Sequence, residues 1–195
     1  MARPRTDIRE RVVRAARHEF LQRGVDATSL RAIARRARSN IGMIYYYFPT
    51  KEDLFLAVIE APYARIVATM GEILGGPAPV RERIRALYRR IGAFAPDEAE
   101  TFRLVISEAV KSPRLRAKVF ARAWHGHLPI VFGALERGKR DADLRANVPT
   151  PLLGIVTAAV GILPQIAARA APLGLAANEA LADQLTDLLF DGIGA

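Results

Sequence analysis

The chain has 195 residues, of which 51% are hydrophobic, and a formal net charge of +9 at pH 7. That length and that hydrophobic content are sufficient for a packed core in one or two domains. The absence of cysteine excludes disulfide bonds and thiolate metal sites and is typical of the reducing cytoplasm. The first ten residues, MARPRTDIRE, are charged where a secretion signal would be apolar, so we expect a cytoplasmic protein.

The positive charge is concentrated in one part of the chain. Residues 1–51 hold 12 Lys and Arg against 4 Asp and Glu, whereas residues 52–195 hold 17 against 16. A confined excess of this kind is typical of a polyanion site, although a solvated arginine face in an Ala- and Arg-rich chain is a plainer explanation. Because a compositional bias would affect both parts of the chain, the imbalance favours a polyanion site within residues 1–51.

The hydrophobic pattern is helical in almost every segment, and no alternation with period 2 indicates a strand. We therefore predict an all-α fold of about nine helices. The first is predicted over about 6–23 and ends at Gly24, and the second begins at a Thr28 or Ser29 cap and runs to about Ala37. The buried stripe of the first helix is predicted to consist of Ile8, Val12, Ala15, Ala16 and Phe20.

A third, short helix is predicted over 41–47, with Asn40 as its cap. Pro49 disfavours helical geometry at Phe48, so this helix ends there. The helix carries the run YYYF, which has more aromatic side chains than one face can bury. We predict that Ile44 and Phe48, four residues apart, form the buried stripe and that the tyrosines face outward.

The fourth helix, over about 51–70, is predicted to begin with a capping box formed by Thr50 and Asp53. It contains Pro62, and its helical pattern weakens toward the Gly- and Pro-rich residues 75–79. We therefore interpret it as the connector between the first part of the chain and the helices that follow. Further helices are predicted over about 80–94, 97–111, 113–138, 151–170 and 176–192.

Two short helices joined by a three-residue turn and braced by a preceding helix indicate a helix-turn-helix whose second helix enters the DNA major groove. The segment Thr28–Phe55, TSLRAIARRARSNIGMIYYYFPTKEDLF, closely resembles the DNA-binding signature of the tetracycline-repressor-like (TetR) family of bacterial regulators. The resemblance extends over residues 6–60, and beyond them the chain resembles the family only in its helical character and length. It implies a helix-turn-helix DNA-binding domain at 1–51 and a helical ligand-binding and dimerisation domain at 52–195.

The resemblance also implies roles for individual positions. It places in the core of the small domain Ile33, Ala34, Ala37, Ile44 and Phe48. Candidate DNA contacts on the second helix, the third helix and the start of the fourth are Thr28, Ser29, Arg31, Arg38, Asn40, Ile41, Gly42, Met43, Tyr45, Tyr46, Tyr47 and Lys51. Tyrosine hydroxyls donate to phosphate oxygens and their rings can contact thymine methyl groups. We predict that Tyr45 lies nearest the bases and that Tyr47 is partly packed.

The turn and the third helix depart from the family pattern. Arg38 and Ser39 stand where the family usually has glycine and valine. An arginine at positive φ costs about 1 kcal/mol relative to glycine, so either the turn is strained or its geometry differs. A phosphate contact by Arg38 would offset part of that cost. Ile41 and Met43 replace polar or small residues, which favours apolar contact with thymine methyl groups over hydrogen-bond readout.

For residues 52–195 the resemblance implies a homodimer. A stripe of small residues would allow close approach of a partner helix, and a second set of leucines lies at helical spacing; an internal core helix would show the same pattern. The candidate dimer residues are Gly154, Ala158, Gly161, Leu181, Leu185, Leu188 and Leu189.

The resemblance further implies a small-molecule effector bound by the middle helices. Pockets in helical domains are mostly apolar with a few polar groups, so the candidates are Tyr88, Phe94, Phe102, Phe120, Trp124, His125, His127 and Phe132. Trp124 and Phe102 are the best candidates among them, although aromatic residues at this spacing are most often ordinary core.

Residues Ala146–Ala168 carry no charge over 23 positions, which is long enough for a membrane span. Three prolines and polar residues that include Asn147, Thr150 and Gln165 interrupt the segment, so we predict a buried or partner-packed helix and no membrane association.

No pattern in the sequence indicates catalysis, because a nucleophile elbow, a Walker loop, a dinucleotide glycine fingerprint and a paired-histidine zinc motif are all missing. His125 and His127 diverge around Gly126 and make a poor metal pair. We therefore expect no enzyme, no cofactor and no metal. The resemblance implies a homodimeric repressor, associated with the nucleoid, that binds a pseudo-palindromic operator and is released by a small lipophilic effector. The alternatives are a nonspecific DNA-binding protein and a helical small-molecule carrier.

Overall fold

The computed structural model describes residues 5–170 and 174–192, without the side chains of residues 5, 6 and 170. Within these ranges the chain is entirely helical, with ten helices and no strand, which confirms the all-α prediction. The helices are α1 (Arg5–Arg23), α2 (Leu30–Arg36), α3 (Ile41–Tyr47), α4 (Lys51–Gly75), α5 (Val80–Gly92), α6 (Pro96–Lys111), α7 (Pro113–Trp124), α8 (His127–Arg140), α9 (Thr150–Ala170) and α10 (Glu179–Asp191).

The tenth helix comes from a break in the segment predicted as one helix over 113–138. Gly126 adopts φ −114° and ψ −101°, a backbone conformation outside the helical region, and it caps α8. The chain therefore leaves α7 at Trp124 and starts a new helix at His127.

The contacts divide the chain into two compact units. Unit 1 consists of Met1–Arg65 and Pro96–Arg122, and unit 2 consists of Ile66–Ala95 and Ala123–Ala195. Unit 1 thus contains α6 and α7 in addition to the helix-turn-helix, and it extends well beyond residues 1–51. Helix α4 begins in unit 1 and ends in unit 2.

The core of unit 1 joins all the helices of that unit. The stripe predicted on α1 is confirmed, because Val12, Ala16 and Phe20 are completely buried, Ala15 nearly so, and Ile8 partly. Further buried residues of the cluster are Ile33, Ala34, Ala37, Ile44, Phe48, Leu54, Phe55, Leu104 and Leu115. Leu104 and Leu115 come from α6 and α7, so these two helices share one core with the helix-turn-helix.

A buried carboxylate on α6 fastens the end of α1. Glu108 is 1% exposed, and its Oε2 accepts a hydrogen bond from the backbone N–H of Val25 at 3.1 Å. Its Oε1 accepts from Lys111 Nζ at 3.0 Å. Gly24 ends α1 at φ +77°, and a Cβ on it would lie 3.1 Å from Glu108 Oε1. Glycine is therefore favoured there both by the backbone and by the carboxylate.

The core of unit 2 is built around Tyr88, which is 1% exposed. Its hydroxyl donates to the carbonyl oxygen of Thr157 at 2.7 Å, and burial raises the pKa of the phenol. Gly161 on α9 allows the ring to lie directly against the helix backbone, since an added Cβ would be 2.0 Å from Tyr88 Cε1. Helix α9 thus packs on α5 through a position that only glycine can fill.

Helices α5 and α10 of unit 2 are also joined by a row of ion pairs. Arginines recur every four residues along this face of α5 and lie opposite aspartates that recur every four residues along α10. The N–O distance is 2.8 Å in the pair Arg81–Asp187 and 2.8 Å in the pair Arg89–Asp183. Hydrogen bonds from these arginines lower the pKa of Asp183 and of Asp191. The pairs lie at the surface, where solvent screening weakens each of them.

Two helices of the described chain, at Lys51–Gly75 and Thr150–Arg169, are long and apolar enough to cross a membrane by length and composition alone. Core helices of soluble proteins pass the same test. In α9 much of the apolar surface is exposed: Ile155 is 67% exposed and Leu163 is 61% exposed. This side of the helix is unpacked within the described chain.

Candidate nucleic-acid interface

The α1–α2 connection orients the start of the helix-turn-helix. Ser29 is the cap of α2 and its Oγ accepts from the backbone N–H of Ala32 at 3.2 Å. Thr28 is 3% exposed, and its hydroxyl lies within hydrogen-bonding distance of the Gly24 carbonyl, at 2.7 Å, and the Glu19 carbonyl, at 3.2 Å. The structure therefore turns Thr28 inward and leaves Ser29 at the surface.

The α2–α3 turn is strained rather than differently shaped. Arg38 adopts φ +49°, the left-handed conformation that costs an arginine about 1 kcal/mol relative to glycine. Arg11 of α1 holds the turn, with Nε donating to the Ala37 carbonyl at 3.1 Å and Nη2 donating to the Arg38 carbonyl at 3.4 Å. Asn40 then caps α3, accepting from Met43 N at 2.9 Å.

Helix α3 divides its aromatic residues between the core and the surface. Ile44 is completely buried and Phe48 is 4% exposed, as predicted. Tyr45 is 53% exposed and Tyr46 is 68% exposed, while Tyr47 is half-buried and packs edge-on against Tyr46 with 5.0 Å between ring centroids. Two large rings therefore face solvent from a helix that is anchored by its other side.

The other candidate DNA contacts on these helices are accessible to different degrees. Arg31, Arg38 and Gly42 are exposed, Ile41 is 38% exposed, and Met43 is half-buried. Together with the exposed tyrosines they form one surface of unit 1, which is the candidate interface.

The start of α4 is fixed by the predicted capping box. Asp53 N donates to Thr50 Oγ1 at 3.1 Å, and Thr50 N donates to Asp53 Oδ2 at 3.2 Å. Lys51 Nζ donates to the carbonyls of Asp26 and Thr28 at 3.0 and 3.2 Å. Lys51 thus ties α4 to the α1–α2 loop, and Lys118 of α7 forms an ion pair with Asp53.

Replacing Asp53 with asparagine should reduce the acid sensitivity of the fold. Hydrogen bonds from Lys118 and Thr50 hold the pKa of Asp53 below its usual value of about 3.9. Because the pKa is lower in the folded state, the ionised carboxylate stabilises the fold above about pH 4, and this contribution is lost as the pH falls through the folded pKa. Urea unfolding at about pH 7 and pH 3 should show a smaller stability difference for Asp53→Asn than for the unaltered chain.

Lys118→Gln provides the control for that experiment, because it removes the partner and should reduce the pH dependence in the same direction. An equal loss of stability at both pH values in Asp53→Asn would contradict the proposed role of the carboxylate charge.

The predicted ligand residues are divided between the two units. Phe102 and Phe120 belong to unit 1, and the other six belong to unit 2. Tyr88 is buried, Phe94, His127 and Phe132 are half-buried, and Trp124 and His125 are exposed. The described residues contain no cluster of three or more His, Cys, Asp or Glu side chains that could hold a metal ion.

The structure places most of the predicted dimer residues inside unit 2. Gly154 and Gly161 are buried against Phe132 and Tyr88, with an added Cβ at Gly154 only 2.9 Å from Phe132 Cε1. Leu181 and Leu185 are 7% and 5% exposed. These four residues pack within the chain, so their small size or spacing serves the core of unit 2.

The remaining predicted dimer residues are more accessible. Ala158 is exposed, Leu188 is 45% exposed and Leu189 is half-buried. The exposed apolar face of α9 lies on the opposite side from the two glycines and consists of Leu152, Ile155, Val156, Ala159 and Leu163.

Sequence reasoning missed the residues of α6 and α7 that hold the helix-turn-helix. Besides Glu108 and Lys118, Arg17 of α1 pairs with Glu100 at 2.8 Å and donates to Thr101 Oγ1 at 3.0 Å. The partners are more than 60 residues apart in sequence, and no local pattern marks them.

Residues 12–58, from α1 into α4, match the family model described as "Bacterial regulatory proteins, tetR family". The chain is 28% identical over 117 residues to the HTH-type transcriptional activator FasR of Mycolicibacterium smegmatis. That alignment covers 60% of this chain and 53% of FasR, so the chain spans about half the length of this relative.

Two solved structures have a similar fold over nearly the whole chain. The transcriptional regulator FadR of Bacillus subtilis, in complex with stearoyl-CoA, gives a TM-score of 0.75 at 19% identity, covering 95% of this chain and 99% of FadR. FadR of Thermus thermophilus, a TetR-family transcriptional repressor in complex with lauroyl-CoA, gives 0.68 at 23% identity, covering 96% and 95%. At these identities the similarity shows the fold.

Proposed function

We propose that this chain is a member of the TetR family of bacterial regulatory proteins. In this role it regulates transcription by binding operator DNA through α3 in a ligand-responsive manner. The observation that carries the proposal is the pair of exposed rings of Tyr45 and Tyr46 on a helix anchored by buried Ile44. Adjacent exposed aromatic residues in the most basic part of a chain are typical of a binding surface.

Within this surface, we assign the base contacts to the first turns of α3 and the phosphate contacts to its flanks. Ile41, Gly42 and Met43 supply apolar contacts and close approach to base edges, together with Tyr45. The other proposed contacts, mainly to phosphates, are Ser29, Arg31, Arg38, Asn40, Tyr46, Tyr47 and Lys51. Thr28 is left out because it is 3% exposed and its hydroxyl is used inside the protein.

The proposed assembly is a homodimer that reads a pseudo-palindromic operator. Its two copies of α3 would occupy successive major grooves, about 34 to 36 Å apart. The exposed apolar face of α9, which includes Leu152, Ile155 and Leu163, supports this proposal because a partner helix would remove it from water. We therefore assign the dimer contact to this face and to Leu188, whereas Gly154 and Gly161 are assigned to the core of unit 2.

The proposed effector is a lipophilic molecule bound by the helices that follow α4. Long-chain acyl-CoA is the first class to test, because two proteins of similar fold are complexes with stearoyl-CoA and lauroyl-CoA. Helix α4 contributes to both units, so a shift of its end on ligand binding can alter the DNA-binding unit. Coupling of about 1 to 3 kcal/mol is typical of such systems.

We further propose that the protein acts as a repressor at the nucleoid in the cytoplasm, with residues 1–51 making the DNA contacts and residues 52–195 providing dimer and ligand contacts. FasR is an activator and the T. thermophilus FadR is a repressor, so the similar proteins include both kinds of regulator.

The proposal is tested by selecting fragments of the native genome that the full-length protein binds. Fluorescence anisotropy at fixed salt should then show at least about 10³-fold tighter binding to a selected fragment than to random DNA. Stearoyl-CoA should release the fragment and coenzyme A alone should not, which separates the acyl chain from the nucleotide moiety.

The alternatives give different results in the same experiment. Equal affinity for selected and random fragments would identify a nonspecific DNA-binding protein. Binding of stearoyl-CoA with no DNA binding at any salt concentration would identify a helical carrier.

A further inference from the structure

Unit 1 contains a cavity of about 510 Å³ between α1 and the end of α2, beside the α2–α3 turn. Its charged lining consists of Arg11, Arg14, Arg36, Arg38 and His18, with Asp7 as the acidic residue. The volume lies in the range of small-ligand sites, but such sites are mostly apolar, whereas this lining is cationic. A cavity of this composition is suited to an anion.

Two of the four arginines are neutralised within the protein. Arg11 pairs with Asp7 at 2.7 Å and also donates to the turn carbonyls. Arg36 Nε donates to Glu19 Oε1 at 2.6 Å, and this bond lowers the pKa of the Glu19 carboxyl. Both guanidinium groups are thereby held along the walls of the cavity.

The other two arginines retain their charge for an external partner. Arg14 faces Glu10 at 3.6 Å, with both side chains more than half exposed, so this pair is weak. Arg38 makes no ion pair within the described residues. Its backbone is held at positive φ. His18, which is half-exposed, also lines the cavity, and its Nδ1 lies 3.9 Å from Glu19 Oε1. The cavity therefore presents one guanidinium group without an ion pair, that of Arg38, and one that is only weakly paired, that of Arg14.

The chemistry of these groups selects the ligand. A guanidinium presents a planar fork of donors that matches two phosphate oxygens, and two such groups match a single phosphate from two sides. Arg38 stands two residues before Asn40, the cap of α3. An anion in the cavity consequently lies next to the helix that carries Tyr45 and Tyr46.

We propose that this cavity is a phosphate-binding site in which Arg14 and Arg38 hold one phosphate group. On the proposed function, that group is a phosphodiester of the operator backbone, outside the contacts made by α3. The same chemistry would accept a free phosphate ester, which would then compete with DNA at this position.

The test compares Arg14→Gln/Arg38→Gln with the control Arg103→Gln/Arg114→Gln. The control removes two exposed arginines of the same unit that lie outside the cavity, so both variants lose the same net charge. Glutamine keeps most of the side-chain length and, like arginine, has a Cβ at position 38. Thermal unfolding should confirm that both variants fold.

DNA affinity is then measured by anisotropy from about 50 to 300 mM salt. In the cavity variant, the slope of log K against log salt should fall by about 1 for each DNA phosphate that the protein no longer neutralises. The affinity of the same variant at low salt should fall at least about tenfold, and the control variant should show neither change. In a second arm, inorganic pyrophosphate is titrated calorimetrically into the protein without DNA, and its binding should be abolished in the cavity variant.

The two arms distinguish the sources of the phosphate. A changed salt slope assigns the site to the DNA backbone, and abolished pyrophosphate binding with unchanged slopes assigns it to a free phosphate ester. Equal slopes and equal pyrophosphate binding in the two double variants would overturn the proposal. If the unaltered chain lacks sequence preference, the proposed function fails, but random DNA and pyrophosphate still test the cavity.

Discussion

Gly161→Ala should lower the free energy of unfolding by about 3 kcal/mol, because overpacking at this site has no route of relief. The added Cβ would lie 2.0 Å from Tyr88 Cε1 and 2.4 Å from Cδ1. The ring is 1% exposed and its hydroxyl is bonded to the Thr157 carbonyl, so it cannot move aside without leaving that acceptor buried and unpaired. Urea denaturation followed by circular dichroism measures the loss.

Gly133→Ala is the matched control in a neighbouring helix. Gly133 lies within α8, is exposed, and has no atom within 4 Å of an added Cβ. Alanine is favoured over glycine in an open helical position, so this variant should gain up to about 1 kcal/mol. If Gly161→Ala keeps full stability but loses self-association, Gly161 belongs to the partner interface and not to the internal core.

Tyr45→Ala/Tyr46→Ala should reduce operator affinity by about 100-fold, or roughly 1.4 kcal/mol for each ring. Both rings are more than half exposed, so their loss should change the unfolding free energy by no more than about 0.5 kcal/mol. The measurements are anisotropy with a selected genomic fragment and urea unfolding of the same samples.

Phe120→Ala tests whether the effect is specific to α3. Phe120 is 59% exposed and lies on α7 of the same unit, so its replacement removes a similar apolar surface away from the candidate interface. An equal loss of affinity in the two variants would contradict the role assigned to α3. Tyr45→Phe and Tyr46→Phe further separate the hydroxyl contribution from that of the ring. A tyrosine whose loss of hydroxyl weakens binding to selected and random DNA equally contacts phosphate, because phosphate contacts carry no sequence information.

Much of unit 1 could be predicted because its signals are local. The α1 stripe, the Asn40 cap and the capping box of Thr50 and Asp53 each depend on residues within one or two helical turns. The division of α3 into buried Ile44 and exposed tyrosines follows from helical periodicity alone. In these places the tertiary structure agrees with what the neighbouring residues already favour.

The features that could not be predicted depend on contacts between distant segments. Spacing alone cannot tell whether a glycine accommodates a ring of the same chain or a helix of a partner, and Gly161 accommodates Tyr88. Thr28 and Ser29 are equivalent as cap residues in sequence, but only the packing of α1 decides which hydroxyl turns inward. Gly126 lies in the middle of the segment predicted as one helix over 113–138, and whether the chain breaks there depends on the helices on either side.

Unit 1 is built from two separate chain segments, so it cannot be completed until the second segment has been synthesised. The helix-turn-helix leaves the ribosome before α6 and α7, and residues 66–95 lie between them. Until Leu104, Glu108 and Leu115 arrive, the nascent segment lacks part of its core and the acceptor for the Val25 amide. Long-range closure of this kind is slow compared with local helix formation. A prematurely terminated chain would therefore carry α3 without the support of α6 and α7, and such fragments should be degraded by proteases.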